Sequence, residues 1–100
     1  MPVIIAKLVL PTADIADYLD HAAALVTRTQ SEAGCNTFTF TRDTAREDTL
    51  WVIEDWATED DMRSHQAAAH VQQFLAETAR FQVLESTVKK FNVASVEVLS

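Results

Sequence analysis

One cysteine, one glycine, two prolines and eight basic residues in a chain of 100 set the first limits. A lone cysteine forms no intramolecular disulfide and builds no thiolate-rich metal site. With so little glycine and proline, little of the chain is flexible linker, and no repeat or low-complexity tract appears. The basic residues are scattered, Lys89 and Lys90 being the only adjacent pair, and fifteen acidic residues bring the formal charge to −7. A nucleic-acid binder carries a basic stripe, and a negative field is repelled by anionic membranes. Neither partner is expected. The apolar run from Val3 to Leu10 is interrupted by Lys7 and lacks both a basic flank and a small-residue cleavage site. It is also too short to span a bilayer. These absences leave a cytoplasmic protein as the expected reading.

The apolar share is 48%, too high for a disordered chain. Residues 1–100 are read as one domain. A chain this short buries a smaller fraction of its surface than a longer one, so a core shared with a second copy would help it.

Val3 to Leu10 is β-branched and nearly all apolar, which predicts a central strand. Pro11 ends it. Thr12 to Ala33 is predicted as a helix capped by Thr12 or Asp14. Its inward stripe is Ile15, Tyr18, Leu19, Ala22, Leu25, Val26 and Thr29. Gly34 follows, where a left-handed residue closes a helix at least cost. Cys35 to Arg42 alternates as a strand, with Asn36, Phe38, Phe40 and Arg42 on one face. A polar turn leads to a second strand, Thr49 to Trp56, and the two form an antiparallel hairpin. Thr58 and Asp61 resemble a capping box, so a helix starts there. A further helical run, with Val71, Phe74, Leu75 and Thr78 inward, reaches about Arg80. The tail from Thr87 to Leu99 has strand character.

The order β-α-β-β-α-β is the split βαβ, ferredoxin-like α+β plan, with helices on one face of a four-stranded antiparallel sheet. Nothing in the chain remains to cover the other face. A two-fold homodimer packing sheet against sheet, a dimeric α/β barrel, would cover it.

Several residues carry chemistry. His65 and His70 lie five apart, about 140° apart on a continuous helix. They do not chelate one metal as an i, i+4 pair does, and no third ligand stands at clear spacing. No metal site is therefore expected. A helix break near Ala67 to Ala69 would re-aim His70 and let both histidines reach one cavity. His65, on the inward stripe, reads either as a core histidine bonded to a neighbour or as a general base. His21, between Tyr18 and Leu25, reads as a half-exposed structural residue or as a further lining residue of the same cleft. Glu54 sits mid-strand between Val52 and Trp56, and a buried carboxylate must be paired or neutral. Arg42 or Lys7 would be its structural partner; orienting a histidine or a substrate hydroxyl would be its functional role. Trp56, Phe38, Phe40 and Phe74 read as the wall of an aromatic-binding pocket or as plain core. Asn36 shares the face of Phe38 and joins the candidate substrate contacts, with His70. Cys35 reads as a small buried filler. There is no Ser-His-Asp order, phosphate loop or dinucleotide fingerprint.

Three segments together resemble the antibiotic biosynthesis monooxygenase family: Glu32-Ala33-Gly34-Cys35, Trp51 to Trp56, and His65 to Phe74. The family pattern is Glu-x-Gly-Cys before the second strand, Glu-x-Trp ending the third, then His, His and Phe along the following helix. The resemblance covers nearly the whole chain, and its spacing is closest to the quinol monooxygenase branch. It implies a dimeric ferredoxin-like barrel and oxidation of a small phenolic, quinol or polyketide-type aromatic substrate by O2, with no cofactor. The implied roles are His65 as base, Glu54 as orienter, and Trp56 and Phe74 as wall. The haem-degrading branch carries a strand-one Asn and a later helix His. Here Lys7 and Leu75 stand near those positions, so haem degradation is not implied. A non-catalytic dimeric ligand-binding or stress-response module and an isomerase of a small carbonyl compound are the alternatives. A pocket with His65 and Glu54 pointing inward favours an enzyme. A cleft filled by Phe38, Trp56 and Phe74 favours a binding or structural role.

Overall fold

The computed structural model describes residues 1–100. Strand β1 spans Pro2–Val9, helix α1 Ile15–Gln30, β2 Cys35–Arg42, β3 Thr49–Trp56, helix α2 Glu59–Ala67, α3 Ala69–Thr78 and β4 Glu85–Asn92. The order matches the split βαβ plan, with the second helix in two pieces. The sheet runs β2-β3-β1-β4, antiparallel throughout. No helix is long and apolar enough to cross a membrane.

The core lies between one sheet face and the helices. β1 contributes Ile4 and Ala6, β2 Phe38, and β3 Leu50, Val52 and Trp56; they meet Ile15, Tyr18, Ala22 and Leu25 of α1, Met62 of α2, Phe74 of α3 and Phe81. Strict alternation along β1 and β3 aims these side chains one way. Each large apolar side chain fully removed from water contributes roughly 1.5–3 kcal/mol.

Four local expectations are corrected. The helix begins at Ile15 after a 3-10 turn at Thr12–Asp14, and neither Thr12 nor Asp14 makes a side-chain cap. It ends at Gln30, and Ser31 to Gly34 form a turn instead of a last helical turn. β2 carries a bulge between Cys35 and Thr37, so alternation breaks there: Cys35 joins the core side, while Asn36 is exposed and donates to Asp55 on the opposite sheet face at 3.3 Å. β4 ends at Asn92, and Val96, Val98 and Leu99 lie exposed without strand pairing.

The second sheet face is uncovered. It presents Val3, Ile5, Trp51, Ile53 and Phe91, brought together by the pairs Ile5–Ile53, Lys7–Trp51 and Val3–Phe91. Ile5 and Ile53 are each 36% exposed and Phe91 46%.

Gly34 is the one left-handed residue, at φ 76°. A β-carbon there would collide with the Asp61 carboxylate of α2, and the Gly34 carbonyl accepts from Ala57 N–H at 2.8 Å. This turn thus locks the start of β2 to the end of β3. Gly34→Ala is expected to lower stability by about 1–3 kcal/mol, measured as a lower urea midpoint with an unchanged slope.

Candidate active site

Four elements bring their side chains to one place beneath the helices. Glu32 comes from the turn after α1, Glu54 and Trp56 from β3, His65 from α2 and His70 from α3. The Thr58 hydroxyl accepts from Asp61 N–H at 3.1 Å and starts α2, as the capping pattern predicts. Glu59, Asp60 and Asp61 favour the positive helix end. After Ala67 the backbone turns extended at Ala68, φ −66° and ψ 145°, and α3 restarts. This break redirects His70 toward His65. Their ring centroids stand 6.2 Å apart.

Glu32 joins the two imidazoles. Its Oε2 lies 2.7 Å from His65 Nδ1 and 3.1 Å from His70 Nε2. With Glu32 ionised, both nitrogens donate to this one oxygen, which leaves His65 Nε2 and His70 Nδ1 free. His65 Nε2 faces Glu54 Oε1 at 4.0 Å, and the Trp56 indole N–H donates to the same Glu54 oxygen at 3.0 Å. His65 is buried; His70, Glu32 and Glu54 are half-buried. Desolvation pushes the Glu54 carboxyl above the ordinary range. The Trp56 N–H and His65 pull the other way without cancelling it, and Glu32 adds to the rise.

Glu54 thus has neither proposed ion-pair partner. Lys7 pairs with Glu85 at 3.1 Å, and Glu54 meets Trp56 and His65 instead. Glu32 was visible in the sequence only as part of the Glu-x-Gly-Cys segment; its chemical role was missed because it stands 33 residues from His65 and 38 from His70.

The aromatic residues pack on His65. Trp56 stacks against His65 with centroids 4.8 Å apart at 32°, and Phe38 lies 5.1 Å away. Both belong to the core, and neither lines a cavity. The cleft beside His65 is therefore filled, although His65 and Glu54 both point inward. Asn36 lies on the far side of the sheet and does not join the site. His70 and Phe74 do line a cavity of about 80 Å³ between α1 and α3, with His21, Arg28, Gln73 and Glu77. Two larger grooves touch neither His65 nor Glu54. His21 is held by Asp17 and Glu77 at 3.7 and 3.4 Å, and it lines the same cavity as His70. Burial, then the neighbouring carboxylates Glu32, Glu54 and Asp55, push the Cys35 thiol up, which keeps it a weak nucleophile.

A family model for antibiotic biosynthesis monooxygenases matches residues 1–77. The chain belongs to that family. Solved structures carry the same fold at low identity. A proposed antibiotic biosynthesis monooxygenase from Deinococcus radiodurans superposes with a TM-score of 0.89 at 16% identity, covering 100% of this chain and 99% of its own. A second from Caulobacter crescentus gives 0.87 at 18%, covering 94% and 90%. Rv0793 from Mycobacterium tuberculosis gives 0.81 at 18%, covering 100% of both chains. No curated protein matches the chain by sequence.

Because the folded chain holds the Glu54 proton at higher pH than the unfolded chain, Glu54 lowers stability as pH rises above the ordinary carboxylate range. Glu54→Gln removes this effect while keeping an oxygen for the Trp56 N–H. Thermal melts should show the variant more stable than the parent near pH 7, with the difference closing at about pH 4. An equal difference at both pH values would contradict the assignment.

Proposed function

We propose that this family member is a cofactor-independent monooxygenase of a small phenolic or quinol-type aromatic substrate. The supporting observation is the set of hydrogen bonds His70–Glu32–His65, which ties a cavity-wall imidazole to a carboxylate held by a buried one. In this reading a substrate in the α1–α3 cavity gives its phenolic proton to His70 Nδ1, and the Glu32 carboxylate, held in place by His65, stabilises the imidazolium that results. The electron-rich anion then reduces O2. A carbon–oxygen bond forms at a ring C–H carbon as a hydroperoxide; loss of water leaves that carbon a carbonyl, so the ring hydrogen and the phenolic hydrogen leave with one oxygen atom. The substrate supplies the electrons, and the protein supplies a base and a dry surrounding. Glu54, held by Trp56, orients His65; Trp56 and Phe38 wall that ring, and Phe74 contacts the substrate.

The cavity is small beside the roughly 300–1,000 Å³ of ordinary ligand pockets. A single ring is favoured over a fused polycycle, for which α3 would have to move from α1 about Ala68. The same size favours one second reading, proton-transfer isomerisation of a small carbonyl compound by the same groups.

Oxygen uptake by metal-stripped protein with single-ring quinols and with anthrones tests this. His65→Ala and His70→Ala are expected to lower turnover by about 10²–10⁴, the usual contribution of a positioned base. Turnover that survives both changes in folded protein would sink this assignment, and absence of uptake with every substrate would favour the isomerase.

The uncovered sheet face supports a homodimer, with Ile5, Ile53 and Phe91 buried against a second copy. Light scattering should give twice the chain mass for the parent, and half that value for Ile53→Glu with unchanged secondary structure.

A further inference from the structure

We propose that Glu32, His65 and His70 also form a binding site for one divalent transition-metal ion of the Zn2+ or Co2+ class. The three donor atoms already lie within 4.8 Å of one another, from three separate elements. Ligands on bonds of about 2.1 Å that meet tetrahedrally stand roughly 3.4 Å apart. Glu32 Oε2 stands 2.7 and 3.1 Å from the two nitrogens, so a small withdrawal of one side chain opens the space. Two imidazole nitrogens with one carboxylate oxygen select late first-row ions over Mg2+ and Ca2+, which prefer oxygen alone.

Two further observations point to a cation. Glu32 and Glu54 are half-buried carboxylates near each other, and their only ion-pair partners are imidazoles: no lysine or arginine lies within 4.0 Å of either. The pocket is thus short of fixed positive charge, and an ion would supply it. The surrounding groups also fit. An ion on His65 Nδ1 moves that ring's proton to Nε2, which faces Glu54 Oε1 at 4.0 Å, and Glu54 is itself held by Trp56. A carboxylate behind the far nitrogen is the usual support of a metal-bound histidine. His70 is shared with the cavity, so water can reach the fourth position.

The ion would occupy the nitrogens whose protons point at Glu32, so metal-bound and hydrogen-bonded states exclude each other. Uptake is measured without turnover and stands or falls apart from the oxygenase reading.

The test is titration of chelator-treated full chain with Co2+ near neutral pH, followed by visible absorption and calorimetry, with circular dichroism to establish folding. One Co2+ per chain is expected. His70→Ala and Glu32→Gln should weaken binding by tenfold or more, Glu54→Gln by about 10–100-fold, and Asp60→Asn, exposed on α2 and outside every cavity, not at all. His70→Ala keeps the test valid if a change at buried His65 disturbs folding. No saturable uptake, uptake unchanged in His70→Ala and Glu32→Gln, or uptake lost in Asp60→Asn would overturn the site.

Discussion

A single carboxylate oxygen, Glu32 Oε2, receives two imidazoles from two different helices, and the arrangement of the site depends on it. Placing a carboxylate away from water is costly unless it is hydrogen-bonded, so this contact holds the turn after α1 against both α2 and α3. Three backbone features deliver the partners. Gly34 takes a left-handed conformation beside Glu32, Thr58 starts α2, and the extended Ala68 ends it. Were α2 and α3 one helix, His70 would point away from His65 and Glu32 would keep one partner.

The aromatic residues act on this contact from outside. Trp56 and Phe38 hold the His65 ring between them, and the Trp56 N–H fixes Glu54. Their packing keeps water from His65 and leaves His70 as the member that meets solvent. The small cavity at His70 and the packed cleft at His65 are therefore two consequences of one arrangement: a buried imidazole and a half-buried one held on the same carboxylate oxygen. The same nitrogens and oxygen are a donor set for an ion, because whatever gathers proton acceptors also gathers metal ligands.

The sequence pattern was most informative where side chains repeat. β2 and β3 were read to the residue, and the apolar stripe of α1 and the Thr58 cap were also readable, since each rests on near-neighbour spacing. It failed where one residue changes the count. The bulge at β2 adds a residue against β3, which sends Asn36 to the far face and brings Cys35 to the core. The C-terminal alternation Val96, Val98 alone does not make a strand, because a strand also needs a paired edge.

His65, Glu54, Trp56 and His70 were visible as unusual residues on apolar segments, and their family spacing was visible too. The sequence by itself determined the element order, the buried stripes and the one residue able to turn left-handed, because these follow from local stereochemistry and period. Only the tertiary structure decided that Glu32 joins the two imidazoles, that Glu54 faces His65 instead of Lys7 or Arg42, and that Trp56 and Phe38 pack on His65 away from any cavity. Those facts join residues more than thirty positions apart, and chain spacing carries no information about which distant carboxylate fills a given pocket.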